Sequence, residues 1–244
     1  MRNRYFISSI CLNFILILIL LNAYIFKFAI RKRIQDILNR SKIISTEYVE
    51  PNYAQNTDFK IARDLYKIYI PRKANIIMFG DSITALIDWN ELLGRNDVIN
   101  RGVSGDITEG LFNRLQYIYP NKPKLCFIMV GTNDGVYVPI EKIKRYYVQI
   151  LKSLKEHDII PIIQSTLYIR GHDYLVRNPV ITELNDFLKE YAEINNIDFI
   201  DLNKVLAKDN VLSKDYSYNG IHLNAEGYRV WREQLLPVIK KYEL

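Results

Sequence analysis

Four short segments of the sequence each carry a group suited to acyl transfer. Ser82 in "GDS" has a hydroxyl that can act as a nucleophile, and His222 in "NGIHLNAEGY" has an imidazole that can accept its proton. Gly105 in "SGD" lets the backbone N–H approach a ligand closely, and Asn133 in "GTND" has a side-chain amide that can donate to developing negative charge. Together, such groups could hydrolyse an ester through an acyl-serine.

Each segment taken alone also has a plainer interpretation. Ser82 or Asp81 could cap the following helix, and Asp106 with Glu109 three residues later could form a capping box. An Asn such as Asn133 is commonly a turn former, and an isolated histidine in a loop is commonly solvated. The functional interpretation therefore depends on whether the fold brings the four segments together.

The pattern of apolar residues predicts that the fold brings these four segments together. Short apolar runs indicate buried strands at 75–79, 97–100, 125–130, 159–165 and 197–202. Amphipathic spacing indicates helices between and after them, at about 83–93, 107–117, 140–156, 180–194 and 225–241. This alternation is typical of a parallel sheet covered on both faces, in which ligands bind at the carboxyl ends of the strands. The four segments follow predicted strands or precede the last helix, so we expect them at one crevice.

At these residues the sequence resembles the SGNH hydrolases, also called GDSL esterases and lipases. "GDS" at 80–82, the glycine of "SGD" at Gly105, "GTND" at 131–134 and "HLNAEGY" at 222–228 are similar to the four blocks of that family and follow the same order. The resemblance implies an α/β, three-layer, flavodoxin-like fold with a five-stranded parallel sheet. It also implies a serine ester hydrolase that needs no metal or other cofactor.

The resemblance assigns a role to each matched residue. Ser82 would be the nucleophile, and His222 the general base that activates it and later protonates the leaving alcohol. The oxyanion hole would comprise the backbone N–H groups of Ser82 and Gly105 and the amide of Asn133. The expected substrates are small-molecule, lipid or saccharide esters, such as short-chain esters, lysophospholipids or O-acetylated saccharides.

One position departs from the family pattern. The family usually has Asp three residues before the histidine, where this chain has Asn219. In a serine protease triad, that exchange lowers the rate by about 10⁴-fold, whereas Cys-His-Asn enzymes work with Asn. Three hypotheses follow. Asn219 orients His222 through its carbonyl oxygen, Asp215 supplies the missing charge, or the protein is catalytically impaired and binds acyl or glycan groups on the same fold.

Further candidates for substrate contact lie near the predicted crevice. They are Asp81 beside the nucleophile, Tyr137 after the "GTND" segment, and His172 in "LYIRGHDYLVRN" together with Arg170 or Arg177. Aromatic and guanidinium groups could contact an acyl chain or a sugar, although surface loops commonly carry such residues without a binding role.

The N-terminal region predicts a membrane anchor. Tyr5–Phe26 comprises 22 residues without a charge, which in a helix can cross a bilayer core of about 30 Å. A cleaved signal peptide and a buried core helix are the alternatives. We predict an anchor at 1–30, a juxtamembrane helix and linker at 31–58, and the hydrolase domain at 59–244. Basic residues flank the span on both sides. Their count places the domain in the cytoplasm, but a short basic region before an apolar run is also how exported anchors begin, and we favour an extracytoplasmic domain on a single-pass membrane protein.

The charge distribution argues against nucleic acid as a partner. The formal net charge is +6, but residues 1–43 contribute eight basic residues and one acid, and the rest contributes 25 basic and 26 acidic residues. The globular part therefore lacks the basic excess that phosphate contacts require. Cys11 and Cys126 lie in apolar surroundings, which offers no disulfide framework and no metal-ligand spacing.

Overall fold

The computed structural model of the protein describes residues 52–135 and 137–244. The helices are α1 (Thr57–Ile68), α2 (Ser82–Ala85), α3 (Trp89–Leu93), α4 (Thr108–Asn113), α5 (Ile140–Glu156), α6 (Tyr174–Ile194), α7 (Asn203–Leu206) and α8 (Ala225–Lys241). The strands are β1 (Ile76–Gly80), β2 (Val98–Gly102), β3 (Leu125–Met129), β4 (Ile160–Gln164), β5 (Asp198–Ile200), β6 (Ala207–Lys208) and β7 (Val211–Leu212). The predicted span Tyr5–Phe26 lies outside the described residues, among which no helix is long and apolar enough to cross a membrane.

A five-stranded parallel sheet in the order β2-β1-β3-β4-β5 forms the middle layer, which confirms the predicted α/β fold. This strand order places the first strand between the second and third, as in flavodoxin-like folds. Gly80 pairs with Gly102 on one side and with Met129 on the other. Because these three strands end at the same level, the loops that follow them begin side by side at one edge.

Successive side chains of β1 point to opposite faces of the sheet, and the core is divided between these two faces. Ile77 and Phe79 belong to the cluster formed with α4, α5 and α6. Ile76 and Met78 belong to the cluster on the other face, where the Trp89 and Trp231 rings meet edge to face at 4.9 Å. Near-continuous apolar strands are therefore needed here, since both faces of the sheet are covered.

Three predicted helices have different bounds in the structure. The helix predicted at 107–117 ends at Asn113 and is followed by a 3-10 turn at Leu115–Tyr117. The single helix predicted at 83–93 is two short helices, because the Asp88 side chain accepts from two backbone N–H groups and starts α3 afresh. Helix α6 begins at Tyr174, six residues before the predicted start, although it contains Pro179. Its early turns are held by Asn178, whose buried amide bonds both the N–H and the carbonyl of Ile169.

Helix α1 and the β6–β7 hairpin lie in segments for which the sequence predicted no regular structure. Asn56 caps α1 by accepting from the backbone N–H groups of Asp58 and Phe59. Its amide nitrogen donates to the carbonyl of Ser104 at 2.8 Å. The segment before the sheet thus contacts the loop that carries Gly105.

The expected capping box of Asp106 and Glu109 is not formed. Ile107 occupies the N-cap of α4, and Glu109 accepts from the Tyr146 hydroxyl. The carboxylate of Asp106 instead forms a fully buried ion pair with Arg114, Oδ2 to Nε, at 2.7 Å. The remaining guanidinium nitrogens donate to the carbonyls of Arg101 and Gly80 at 2.6 and 2.8 Å.

Loss of the Arg114 guanidinium should destabilise the fold strongly, because it would leave the Asp106 carboxylate buried without its counter-charge. We expect Arg114→Met to lower the free energy of unfolding by about 3–5 kcal/mol in chemical denaturation. Arg229→Met is the matched control, because Arg229 pairs with Glu226 and Glu233 at exposed positions, where water screens the charges, and its loss should change the free energy of unfolding far less. Equal losses in the two variants would contradict this account of the ion pair.

Candidate active site

Ser82 and His222, which are 140 positions apart in the chain, meet at the carboxyl edge of the sheet. The Ser82 Oγ and the His222 Nε2 are 3.0 Å apart, and both residues are partly buried. Ser82 is the first residue of α2 directly after β1, and His222 lies in the loop before α8. A hydroxyl within hydrogen-bond reach of an imidazole is the geometry that nucleophile activation requires.

The single turn of α2 is held by side chains from other elements. The Asp81 carboxylate accepts from the Ile83 N–H at 3.0 Å and caps the turn. At its far end, the Tyr228 hydroxyl donates to the Ile83 carbonyl at 2.7 Å, and the Asn100 amide donates to the Ala85 carbonyl at 3.2 Å. These bonds satisfy backbone N–H and carbonyl groups that have no partner within so short a helix. They thereby fix the position of Ser82, its first residue.

The buried side chain of Ser217 holds the loop that carries His222. The Ser217 hydroxyl donates to the His222 carbonyl and accepts from the Gly220 N–H, both at 2.8 Å. Gly220 has φ +85 and lies against the backbone of Arg170 and Gly171, where a side chain would be strained and crowded. The imidazole is therefore presented by a tightly bonded turn.

The two further donor candidates lie on adjoining loops. Gly105 has φ +68 in the exposed turn after β2. The Asn133 amide nitrogen donates one hydrogen to the Asp106 carbonyl at 2.9 Å, which leaves its second hydrogen for another acceptor. The loop after β3 is also anchored by Asp134, whose buried carboxylate accepts from the Thr108 hydroxyl at 2.6 Å. Both candidate donors are thereby tied to the start of α4.

Asn219 contacts His222 through its amide nitrogen. The Asn219 Nδ2 lies 3.0 Å from the His222 Nδ1, while its Oδ1 accepts from the backbone N–H groups of Ile221 at 3.0 Å and His222 at 2.8 Å. Asp215 does not reach the imidazole, and its carboxylate instead contacts the Ser213 hydroxyl. Partial burial lowers the pKa of His222, because it disfavours the imidazolium.

A family description agrees with this arrangement. The model of the GDSL-like Lipase/Acylhydrolase family matches residues 78–230, which is more than half of the chain and includes all four segments. The chain belongs to the GDSL-like lipase/acylhydrolase family. The predicted family resemblance is therefore confirmed.

Solved structures share the fold of this GDSL-like protein. A GDSL-like lipase from Bacteroides thetaiotaomicron superimposes with a TM-score of 0.68 at 21% identity, covering 78% of this chain and 100% of that one. An acetyl xylan esterase superimposes with a TM-score of 0.58 at 19% identity, covering 67% and 98%. At these identities the likeness concerns the fold.

A relative with a longer chain is the N-acylneuraminate cytidylyltransferase of Escherichia coli. It is 28% identical over 190 residues, which cover 68% of this chain and 41% of that protein. The GDSL-like chain therefore spans less than half of the length of this relative.

The weaker candidates differ in their placement. Tyr137 is partly exposed after the "GTND" segment, and the Arg177 guanidinium lies 5.3 Å from its ring centroid. Arg177 also donates to the Thr132 carbonyl at 3.3 Å, which places it against the loop of Asn133. His172 is fully exposed and its side chain contacts Asp173; it follows Gly171, whose backbone lies against Gly220 in the loop of His222, and its role in substrate contact stays a prediction.

Two residues that support the site went unnoticed in the sequence. Arg114 fixes the carboxylate of Asp106, and Asn56 fixes the carbonyl of Ser104. Arg114 follows Ile107 and Leu111 at helical spacing, on the apolar face of the predicted 107–117 helix, and this position is a signal for the first, since a buried charge needs a partner. Nothing local identifies Asn56 beyond its N-cap position, because its second contact is 48 residues away.

The carboxyl group of Asp81, beside the nucleophile, should keep its proton to a higher pH than an exposed aspartic acid does. Asp81 is buried, its Oδ2 has no hydrogen-bond partner among residues 52–135 and 137–244, and burial raises its pKa from 3.8 to about 7. At a pH between 3.8 and about 7, Asp81 is protonated in the folded state and ionised in the unfolded state. The stability contributed by Asp81 therefore decreases as the pH rises toward 7.

We expect the free energy of unfolding to fall between about pH 5.5 and about pH 8 by roughly 1–2 kcal/mol more in the wild type than in Asp81→Asn. Chemical denaturation at the two pH values measures the difference. Asp88→Asn is the matched control, since Asp88 also caps a short helix but is exposed. An Asp81→Asn variant with the full wild-type pH dependence would show that Asp81 ionises normally.

Proposed function

We propose that this protein is a serine acylesterase in which Ser82 attacks the ester carbonyl and His222 is its proton acceptor. The observation that carries the proposal is the 3.0 Å contact between the Ser82 Oγ and the His222 Nε2 at the carboxyl edge of the sheet. The developing oxyanion would be stabilised by the N–H groups of Ser82 and Gly105 and by the free amide hydrogen of Asn133. Membership of an acylhydrolase family supports ester hydrolysis in general.

The substrates that we propose are acyl esters of small molecules, lipids or saccharides. The name of the structurally similar acetyl xylan esterase supports O-acetylated saccharides as the first class to test. Tyr137 and Arg177, which lie together beside the Asn133 loop, would contact the alcohol or sugar part. The membrane anchor at 1–30 and the extracytoplasmic side stay predictions.

Hydrolysis of p-nitrophenyl acetate and butyrate by the full chain in detergent tests the proposal. We expect measurable turnover, and a loss of at least about tenfold in kcat/KM in Ser82→Ala, because the acyl-serine cannot form. Ser153→Ala is the matched control, because its hydroxyl bonds Tyr119 at the far end of α5. Turnover that survives in Ser82→Ala would refute Ser82 as the nucleophile.

One observation favours a second candidate function. The Asn219 Nδ2, rather than an oxygen, faces the His222 Nδ1. A carboxylate there would stabilise the imidazolium formed during attack, and a neutral amide does not. A catalytically impaired protein that binds acyl or glycan groups on the same fold is therefore the alternative. A folded protein that hydrolyses neither ester, even as Asn219→Asp, would support it.

A further inference from the structure

The side-chain amide of Asn219 has one orientation that satisfies its neighbours. Its Oδ1 accepts from the backbone N–H groups of Ile221 and His222 at 3.0 and 2.8 Å. Turning the amide by 180° would point its NH₂ group at both of these donors and break both bonds. Since the oxygen and nitrogen of an amide are distinguished by their hydrogen bonds, the network fixes Nδ2 toward the imidazole.

This orientation determines where His222 carries its proton. The Asn219 Nδ2 is a donor without lone-pair acceptance, so the His222 Nδ1 at 3.0 Å must be the acceptor. A neutral imidazole has a single N–H, which therefore resides on Nε2. Partial burial favours this neutral form over the imidazolium.

The consequence appears at the nucleophile. The His222 Nε2–H points at the Ser82 Oγ across 3.0 Å, so the hydroxyl accepts a hydrogen bond instead of donating one. Attack on an ester needs the hydroxyl proton to move to a lone pair on Nε2, and in this tautomer that lone pair is absent. We propose, on the basis of the function proposed above, that Asn219 is a positioning residue that holds His222 in the Nε2–H tautomer and keeps Ser82 unactivated.

A working tautomer is reached only by breaking the Asn219 contact. One proton must leave Nε2 for solvent and one must be taken up at Nδ1, while the amide turns away from the Ile221 and His222 N–H groups. Exchange to Asp removes the conflict, because one carboxylate oxygen can keep both backbone bonds while the other accepts from Nδ1–H. Nε2 then offers its lone pair to the Ser82 hydroxyl, and the nucleophile is activated.

The tautomer can be read directly from ¹⁵N NMR of the full chain in detergent, with labelled histidine and with His157→Gln and His172→Gln for assignment. We expect His222 to show a pyrrole-like Nε2 and a pyridine-like Nδ1 in the wild type, and the reverse in Asn219→Asp. Asn224→Asp is the matched control, since it adds the same charge two residues beyond His222 at the N-cap of α8, and should keep the wild-type pattern.

The kinetic counterpart is kcat/KM for p-nitrophenyl acetate. We expect a gain of about 10²–10⁴-fold in Asn219→Asp and a change of less than about threefold in Asn224→Asp. A wild-type proton on Nδ1, or equal rates in wild type and Asn219→Asp, would overturn the proposal about Asn219 while leaving ester hydrolysis by Ser82 intact. The expected tautomers with no turnover in either protein would support the positioning role and overturn the esterase.

Discussion

The buried ion pair of Asp106 and Arg114 connects the loops that carry the candidate site. Arg114 donates to the Gly80 carbonyl just before the nucleophile turn, to the Arg101 carbonyl in β2, and to the Asp106 carboxylate in the loop of Gly105. The Asp106 carbonyl in turn accepts from the Asn133 amide. One guanidinium therefore sets the spacing between the hydroxyl and both further donors. Separating the two charges would leave each of them buried without its partner, which is strongly destabilising, and this makes the geometry of the pair hard to change.

Charge around this pair is not balanced within the described residues. The carboxyls of Asp81, Asp106 and Asp134 are all buried, and burial raises the pKa of each. A full set of carboxylates behind the donor groups would oppose an oxyanion in front of them. Burial raises the pKa of Asp81 and of Asp134 to about 7, so both carboxyls take up a proton far more readily than exposed ones, which reduces this negative charge. The hydrogen-bonding shape of the site is kept, because both protonated and ionised carboxyls accept.

Much of the fold could be predicted from the sequence because its signals are long and local. Helices α5 and α8 have the predicted bounds, since seventeen-residue amphipathic patterns define a helix by themselves. The shorter helix expected at 83–93 is divided at Asp88 by a cap that competes with continuation. The helix predicted at 180–194 begins at Tyr174 instead, and the tertiary bonds of Asn178 hold the turns around Pro179. Distant contacts such as Asn56 with Ser104 leave no periodic trace.

At the candidate site, too, the sequence predicts which residues meet but not the orientation of their atoms. The spacing of Asn219 and His222 predicts that they meet, but not which end of the amide faces the ring. That choice depends on the backbone N–H groups of Ile221 and His222, which the turn directs at the amide oxygen. Because an aspartate has an oxygen where Asn219 has Nδ2, we expect the exchange to move the imidazole proton from Nε2 to Nδ1. On this proposal, the groups of the site are assembled in the wild type, but Ser82 is not activated.

The proposal that Asn219 keeps Ser82 unactivated is tested most directly by covalent labelling with a fluorophosphonate. The rate of labelling is measured in wild type and Asn219→Asp, and the labelled residue is identified by peptide mass spectrometry. We expect an adduct on Ser82 in both proteins, formed much faster in Asn219→Asp because there the resting imidazole already offers its Nε2 lone pair to the hydroxyl proton. Labelling of another residue, or equal rates at Ser82 in the two proteins, would contradict it.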